Sequence, residues 1–212
     1  RGGSKRIKNK NLKLLCGKPL IDYTIDTAIN SGLKKNKIYV SSDSNLIKKH
    51  CYKRKVSVID RPKKFAKDTS STFSVIKHFI DSITERFDFL ILLQPTSPLR
   101  TSATLKKSMS LIKNKNDCLI SVQLNDFHLW EIFENYVNPR FKLRMRTQKL
   151  KDKVREDGSI YILPYDDLRR KSNTLGMGIP SNKKIKYIIS KKEESIEIDD
   201  NEDFKICSKL IS

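Results

Sequence analysis

Long apolar runs are missing from this sequence. No stretch approaches the roughly 20 apolar residues that a membrane helix needs, and no basic segment leads into an apolar one as an export signal would. The chain therefore reads as a cytoplasmic protein with no membrane partner. Cysteine is sparse. Cys16, Cys51, Cys118 and Cys207 lie far apart and form no CxxC, which excludes a disulfide frame or zinc site and leaves reduced thiols. Histidine is equally thin. His50 and His78 fall on or beside helical core faces, His128 sits near Trp130 in an aromatic stretch suited to packing, and no Ser–His–Asp arrangement is visible. Acids are in short supply: 24 Asp and Glu stand against 44 Lys and Arg, a net charge of +20 over 212 residues. Such an excess fits either a nucleic-acid binder or a lysine-rich composition spread over a solvated surface. The lysines are scattered between apolar positions, and Asn and Ile are also abundant, so the second reading is preferred and nucleic acid is not expected as a partner. The field would still attract nucleotides and acidic sugars.

What is present is an alternation of helix and strand. Ile21, Ile25, Ala28 and Ile29 recur at helical spacing between Pro19 and Gly32. "KIYVSSD" reads as a strand that delivers Asp43 to its C-terminal end. "SNLIKKHCYKR" places Leu46, Ile47, His50 and Cys51 on one helical face. "KVSVID" is a further strand, "TFSVIKHFIDSI" a helix, "FDFLILLQ" a buried strand broken by "PTSPLRT", and "DCLISVQ" a strand after another helix. The pattern predicts an α/β domain over 1–212, a mostly parallel sheet with helices on both faces. Ligands of such sheets lie at the carboxyl ends of the strands. Residues 124–155 are basic and aromatic with poor periodicity, and read as a small inserted arm with a possible dimer contact. "GSIYIL" returns to strand, and an acidic turn and short helix close the chain.

The opening stretch "RGGSKRIKNKN" holds five basic side chains in eleven residues. Gly2 and Gly3 permit close backbone approach, Ser4 offers a hydroxyl, and Arg1, Lys5 and Lys10 could surround a triphosphate. The GxxxxGK[ST] spacing of a P-loop is absent. By itself the stretch reads equally as a flexible linker.

"RGGSKRIKNKN", "GKPLIDYTI", "VSSDS", "RPKKFAKDTSS", "LLQPTSPLRT", "EDGSIYI" and "SIEIDDNEDF" follow one another at sensible intervals. Together they resemble the acylneuraminate cytidylyltransferases, the CMP-sialic acid synthetase family, including relatives that activate legionaminic and other nonulosonic acids. The resemblance covers essentially the whole chain. It implies a Rossmann-like nucleotidyltransferase fold, a homodimer, and attack of a sugar acid's anomeric hydroxyl on the α-phosphorus of CTP with Mg²⁺ assisting.

Residue by residue, the resemblance implies CTP binding by Arg1, Gly2, Gly3, Ser4, Lys5, Lys10 and Asn11, with Arg1, Lys10 and Asp199 as catalytic residues and Lys10 on the leaving phosphates. Arg61, Ser70 and Thr72 match the loop that reads cytosine, and the same hydroxyls suit the N-cap of a helix near Ser71. Gln94 and the stretch carrying Arg146, Gln148, Arg155, Asp157 and Tyr161 match the sugar-binding residues; the arginines read alternatively as surface charge. Arg100 is expected to support its turn rather than touch substrate. Glu197 and Asp199 alternate along an extended run, so they share a face, and they match the family's metal-binding acidic pair. Asp199 is also a candidate base toward the attacking hydroxyl.

Several positions depart from the family pattern. The family feeds its glycine loop from an apolar strand, and the sequence opens at Arg1; a chain lacking that strand is expected to fold weakly and to show little activity. Asp157 stands where Asn is usual, so it is expected to be protonated or paired with Arg155. Glu197 replaces an Asp, and Lys8 a common Pro. Two other readings remain: a cytidylyltransferase for an eight-carbon keto acid, and a non-catalytic nucleic-acid-binding protein on the same scaffold. The leading reading requires the basic N-terminal segment and the acidic C-terminal one to meet in space.

Overall fold

The computed structural model describes residues 2–3, 6–124, 130–133, 136–139, 153–170, 174–175, 177–181 and 183–212. After the N-terminal loop, strands β1 (Leu14–Leu15) and β2 (Lys18–Pro19) pair antiparallel and lead into α1 (Leu20–Asn30). Strand β3 (Tyr39–Ser42), helix α2 (Asn45–Lys53) and strand β4 (Ser57–Asp60) form a parallel βαβ unit. Helix α3 (Thr72–Asp81), strand β5 (Phe89–Leu93), helix α4 (Ser102–Leu111) and strand β6 (Cys118–Leu124) continue the alternation. Within the region read as an arm, β7 (Trp130–Phe133) and β8 (Tyr136–Pro139) pair as an antiparallel hairpin. The chain ends with β9 (Val154–Pro164), α5 (Tyr165–Arg169), β10 (Thr174–Leu175), β11 (Ile179–Pro180), β12 (Ile185–Ile189) and α6 (Asn201–Ile211).

Helix starts follow the local chemistry. Ser44, Ser71 and Thr101 each accept a backbone N–H from three residues on, the N-cap arrangement that relieves orphan donors. Asp200 and Asp203 form a reciprocal capping box on α6. One expectation fails: Leu46 is 59% exposed. Only Ile47 and Cys51 of that face reach the core, packing on Ile21 and Ile25 of α1.

The main sheet has the order β12-β6-β9-β5. β12 and β6 pair parallel, whereas β9 is antiparallel to both β6 and β5. The expected parallel sheet is thus interrupted by one reversed strand, a direction that hydropathy cannot reveal. Side chains alternate along β9 and build two cores. Tyr161 and Leu163 join α3 and α5 through Ile76, Ile80, Tyr165 and Leu168, while Ile160 and Ile162 join α4 through Leu105. Helices therefore cover both faces, as the sequence predicts. A smaller core of Ile7, Leu15, Leu20, Ile198 and Cys207 ties the N-terminal loop to the C-terminal segment. Burial pushes the Cys51 and Cys207 thiols up to about 11 and Cys118 up to about 12, which fits inert structural cysteines.

Candidate active site

The N-terminal loop is anchored by its glycine. The Gly2 N–H donates to Asp43 Oδ1 at 2.8 Å, just past the end of β3. A methyl group on Gly2 would come within 2.8 Å of Ser44 Cβ, so only glycine permits this approach. Partial burial pushes the Asp43 carboxyl up, but the N–H of Gly2, its own N–H and Arg61 outweigh it and hold the group below the usual range. The loop then turns through a short 3-10 segment, Lys10–Leu12. Asn11 lies on that segment and Gly3 near the start of the chain; Arg1, Ser4 and Lys5 fall outside the described residues.

Lys10 reaches across to the other end of the chain. Its Nζ donates to Ile198 O at 2.6 Å and lies 3.8 Å from Asp199 Oδ1. Arg6 Nη1 is 3.9 Å from Asp199 Oδ2, so two cations face one carboxylate that is 63% exposed. Beside them an open cleft of about 580 Å³ is lined by Arg6, Lys8, Lys13 and Asn201 together with Ile7, Asn9, Leu12 and Leu46. The juxtaposition that the sequence reading demanded is present.

Residues 196–199 run extended past the end of β5. The Ile198 N–H donates to Thr96 O at 2.7 Å, and the Thr96 hydroxyl donates to Glu197 Oε1 at 2.7 Å. Farther back, buried Glu194 accepts from the hydroxyls of Thr101 and Thr104 at 2.5–2.9 Å at the start of α4. The carboxylate-bearing segment is therefore tied to the turn after β5 at both ends.

The third part comes from a large bulge in β9. Ile120 faces Tyr161 and Val122 faces Glu156, so Ser121 alone stands opposite residues 157–160. Ser121 supplies the missing ladder partners from its side chain: its hydroxyl bonds Asp157 Oδ1 and accepts the Ile160 N–H at 2.8 Å. Gly158 crosses the bulge at φ +72°, and a methyl group on it would sit 3.5 Å from Glu197 Oε2 and 3.9 Å from Gln94 Nε2. Such bulges re-aim side chains beside functional sites. Here Gln94, Gly158 and Glu197 converge on one point at the carboxyl end of β5.

Arg100, 2% exposed, holds this region from below. It donates to Ser159 O at 2.5 Å, Thr24 Oγ1 at 2.8 Å and Gln94 O at 3.3 Å, the supporting role expected of it. Burial pulls its guanidinium down to about 10, and the charge of Asp157 opposes that fall. Of the two expectations for Asp157, the pairing with Arg155 is not formed. Arg155 donates instead to Gln123 Oε1, because the bulge turns Asp157 inward toward Ser121 and the Ser159 N–H. Tyr161 also departs from its expected place. It is 2% exposed, its ring belongs to the core, and its hydroxyl is taken by Glu156. Burial and neighbouring carboxylates raise its ionisation well above the usual range. It supports the bulge from within.

Of the cytosine-loop candidates, Arg61 donates to Ser41 O at 2.7 Å, Ser70 Oγ donates to Lys64 O at 3.0 Å, and Thr72 begins α3. Arg146 and Gln148 lie outside the described residues. Sequence reasoning missed Arg6, Thr96 and Ser121. The first two sat inside stretches already singled out; nothing in the sequence marked Ser121.

A profile of the family described as cytidylyltransferase matches residues 1–163. The chain belongs to the cytidylyltransferase family. The N-acylneuraminate cytidylyltransferase of Streptococcus agalactiae serotype V is 30% identical over 213 residues, covering 96% of this chain and 50% of that protein. The post-translational flagellin modification protein B of Campylobacter coli is 32% identical over 225 residues, covering 100% of this chain and 92% of that protein. The chain spans about half the length of the N-acylneuraminate cytidylyltransferases it matches. The resemblance read from its motifs is borne out. Among solved structures, CMP:2-keto-3-deoxy-manno-octonic acid synthetase complexed with CTP superposes with a TM-score of 0.70 at 13% identity over 99% of this chain and 94% of the other. The 4-diphosphocytidyl-2C-methyl-D-erythritol synthase of Anaerococcus prevotii gives 0.67 at 12% over 95% and 92%. At such identities they speak for the fold, and they bear out the nucleotidyltransferase architecture.

Proposed function

We propose that this chain transfers CMP from CTP to the anomeric hydroxyl of a sialic-acid-like, nonulosonic sugar acid and releases pyrophosphate. The observation that carries the reading is the meeting of Lys10 with Ile198 and Asp199, which sets a cation and a carboxylate side by side at the carboxyl edge of the sheet. In this reading Lys10 and Arg6 bind the β- and γ-phosphates, and Lys10 stabilises the charge that develops on the leaving pyrophosphate. Gly2 and Gly3 let the triphosphate approach the main chain. Arg61, Ser70 and Thr72 form the cytosine edge. Gln94 offers its amide to the sugar acid beside Gly158, and Arg155 offers a fork for a carboxylate.

The donor set fits Mg²⁺, which takes hard oxygens and often holds one or two carboxylates plus phosphates. Glu197 and Asp199 would hold it. When bound, the ion supplies charge neutralisation at the phosphate oxygens. A cytoplasmic homodimer in contact through 124–155 completes the reading, and sedimentation tests that part.

The decisive experiment is pyrophosphate release from CTP with Mg²⁺ and a panel of sugar acids. Release that depends on a nine-carbon acid is the expected result. Release only with an eight-carbon keto acid moves the substrate. No release with any acid, together with salt-sensitive nucleic-acid binding, removes the enzymatic reading.

A further inference from the structure

Glu197 is a long side chain with several rotamers to lose when it is fixed. The structure shows what fixes it. Thr96 Oγ1 donates to Glu197 Oε1 at 2.7 Å, a charge-assisted contact and among the stronger kinds of hydrogen bond. The same residue accepts the Ile198 N–H at 2.7 Å, so Thr96 grips both the backbone and the side chain of the acidic segment. With Oε1 engaged, Oε2 is the oxygen on the Gly158 side: a methyl group on Gly158 would sit 3.5 Å from it and 3.9 Å from Gln94 Nε2. Gly158 keeps that space open by lacking a side chain. Thr96 also has Gln94 Oε1 at 3.5 Å, but the shorter, ionised acceptor wins its single proton.

We infer that Thr96 is the positioning residue of the acidic pair: its hydroxyl selects which oxygen of Glu197 is presented to a divalent cation and to the sugar acid. The inference rests on the proposed transferase reading, and its test is separable from that reading. The hydroxyl has no other evident use, since the turn around it is held by Arg100 and by the main-chain bond to Ile198, neither of which needs the Thr96 side chain.

The test compares T96V, which keeps the shape and removes the hydroxyl, with T96S, which keeps the hydroxyl. Binding of Mn²⁺ to the protein alone is read by electron paramagnetic resonance, and pyrophosphate release is read separately. T96V is expected to weaken Mn²⁺ at least five-fold and to lower kcat about ten-fold, with KM for CTP within two-fold; T96S should stay within two-fold on each. In the E197D background, which draws the carboxylate back by one methylene from Thr96, T96V should add little further. Melting temperatures within a few degrees of wild type guard against a folding defect. Equal Mn²⁺ affinity in wild type and T96V, including no binding in either, overturns the inference, as does an effect of T96V that persists undiminished beside E197D. Loss of the transferase reading alone would look different: the Mn²⁺ series would hold while wild type released no pyrophosphate with any acid.

Discussion

Lys10 illustrates how a single side chain in this protein is committed at both ends of its chemistry. Its side chain is only 14% exposed, and its ammonium bonds Ile198 O at 2.6 Å while facing Asp199. K10A should fold, because one partly buried hydrogen bond contributes about 1 kcal/mol, yet lose roughly 100-fold or more in kcat for pyrophosphate release, the scale of removing a preorganised donor from a developing anion. Activity within five-fold of wild type would show that Lys10 is ordinary surface charge. Arg6 was not marked in the sequence reading; it stands at the same carboxylate but is far more exposed than Lys10. R6A is therefore expected to raise KM for CTP a few-fold with little change in kcat. Gly158 makes the opposite point, that a missing side chain can be the functional feature. Its φ of +72° costs a substituted residue about 1–2 kcal/mol. The added methyl of G158A would also sit 3.5 Å from Glu197 Oε2. Urea denaturation should show the stability loss and steady-state kinetics a raised KM for the sugar acid with KM for CTP unchanged.

Elements hold these residues through a few buried polar ties. Arg100 joins α1, the turn after β5 and the β9 bulge in one side chain. R100M strands the carbonyls of Ser159 and Gln94 and the hydroxyl of Thr24, so it should cost roughly 2–5 kcal/mol, read as a large fall in the urea midpoint. Asp117 ties the end of α4 to β12. Lys186 first, then the N–H groups of Lys113 and Asn114, hold its carboxyl down at about 2. A carboxyl held below its unfolded value of about 4 contributes stability that is fully present above that pH and fades as pH falls through about 2. The gap in urea midpoint between wild type and D117N should thus be widest near neutrality and shrink between pH 4.5 and 3. The element pattern was legible because the helices carry apolar periodicity and several carry a side-chain cap: Ser44, Ser71 and Thr101 announce three of them. The reversal of β9 was not, since "GSIYIL" reads the same in either direction. Nor was the bulge, although a glycine inside a strand is a recognised sign of one. The contacts of Asp157 with Ser121 and the Ser159 N–H arise only once the sheet forms, so sequence adjacency could offer Arg155 as one possible partner but not the one the fold supplies.

At the scale of the molecule, the proposed site joins segments far apart in the sequence. Lys10 and Ile198 are 188 positions apart, and a small shared core of Ile7, Leu15, Leu20, Ile198 and Cys207 closes that loop. The opening basic stretch and the terminal acids could each be read from sequence, but only the fold joins them. A net charge of +20 surrounds the cleft with a field that draws anionic substrates. Raising ionic strength from 50 to 300 mM should therefore raise KM for CTP several-fold while kcat holds, because screening acts on encounter more than on contacts already made. The central claim is that these two segments form one seat for a metal-bound nucleoside triphosphate. Calorimetry of CTP binding, with and without Mg²⁺, tests it most directly when wild type is compared with D199N. Wild type should bind CTP at least ten-fold tighter with Mg²⁺ than without, and D199N should lose that difference while keeping the metal-free affinity. A D199N protein whose CTP affinity still rises with Mg²⁺ as steeply as wild type would contradict the account.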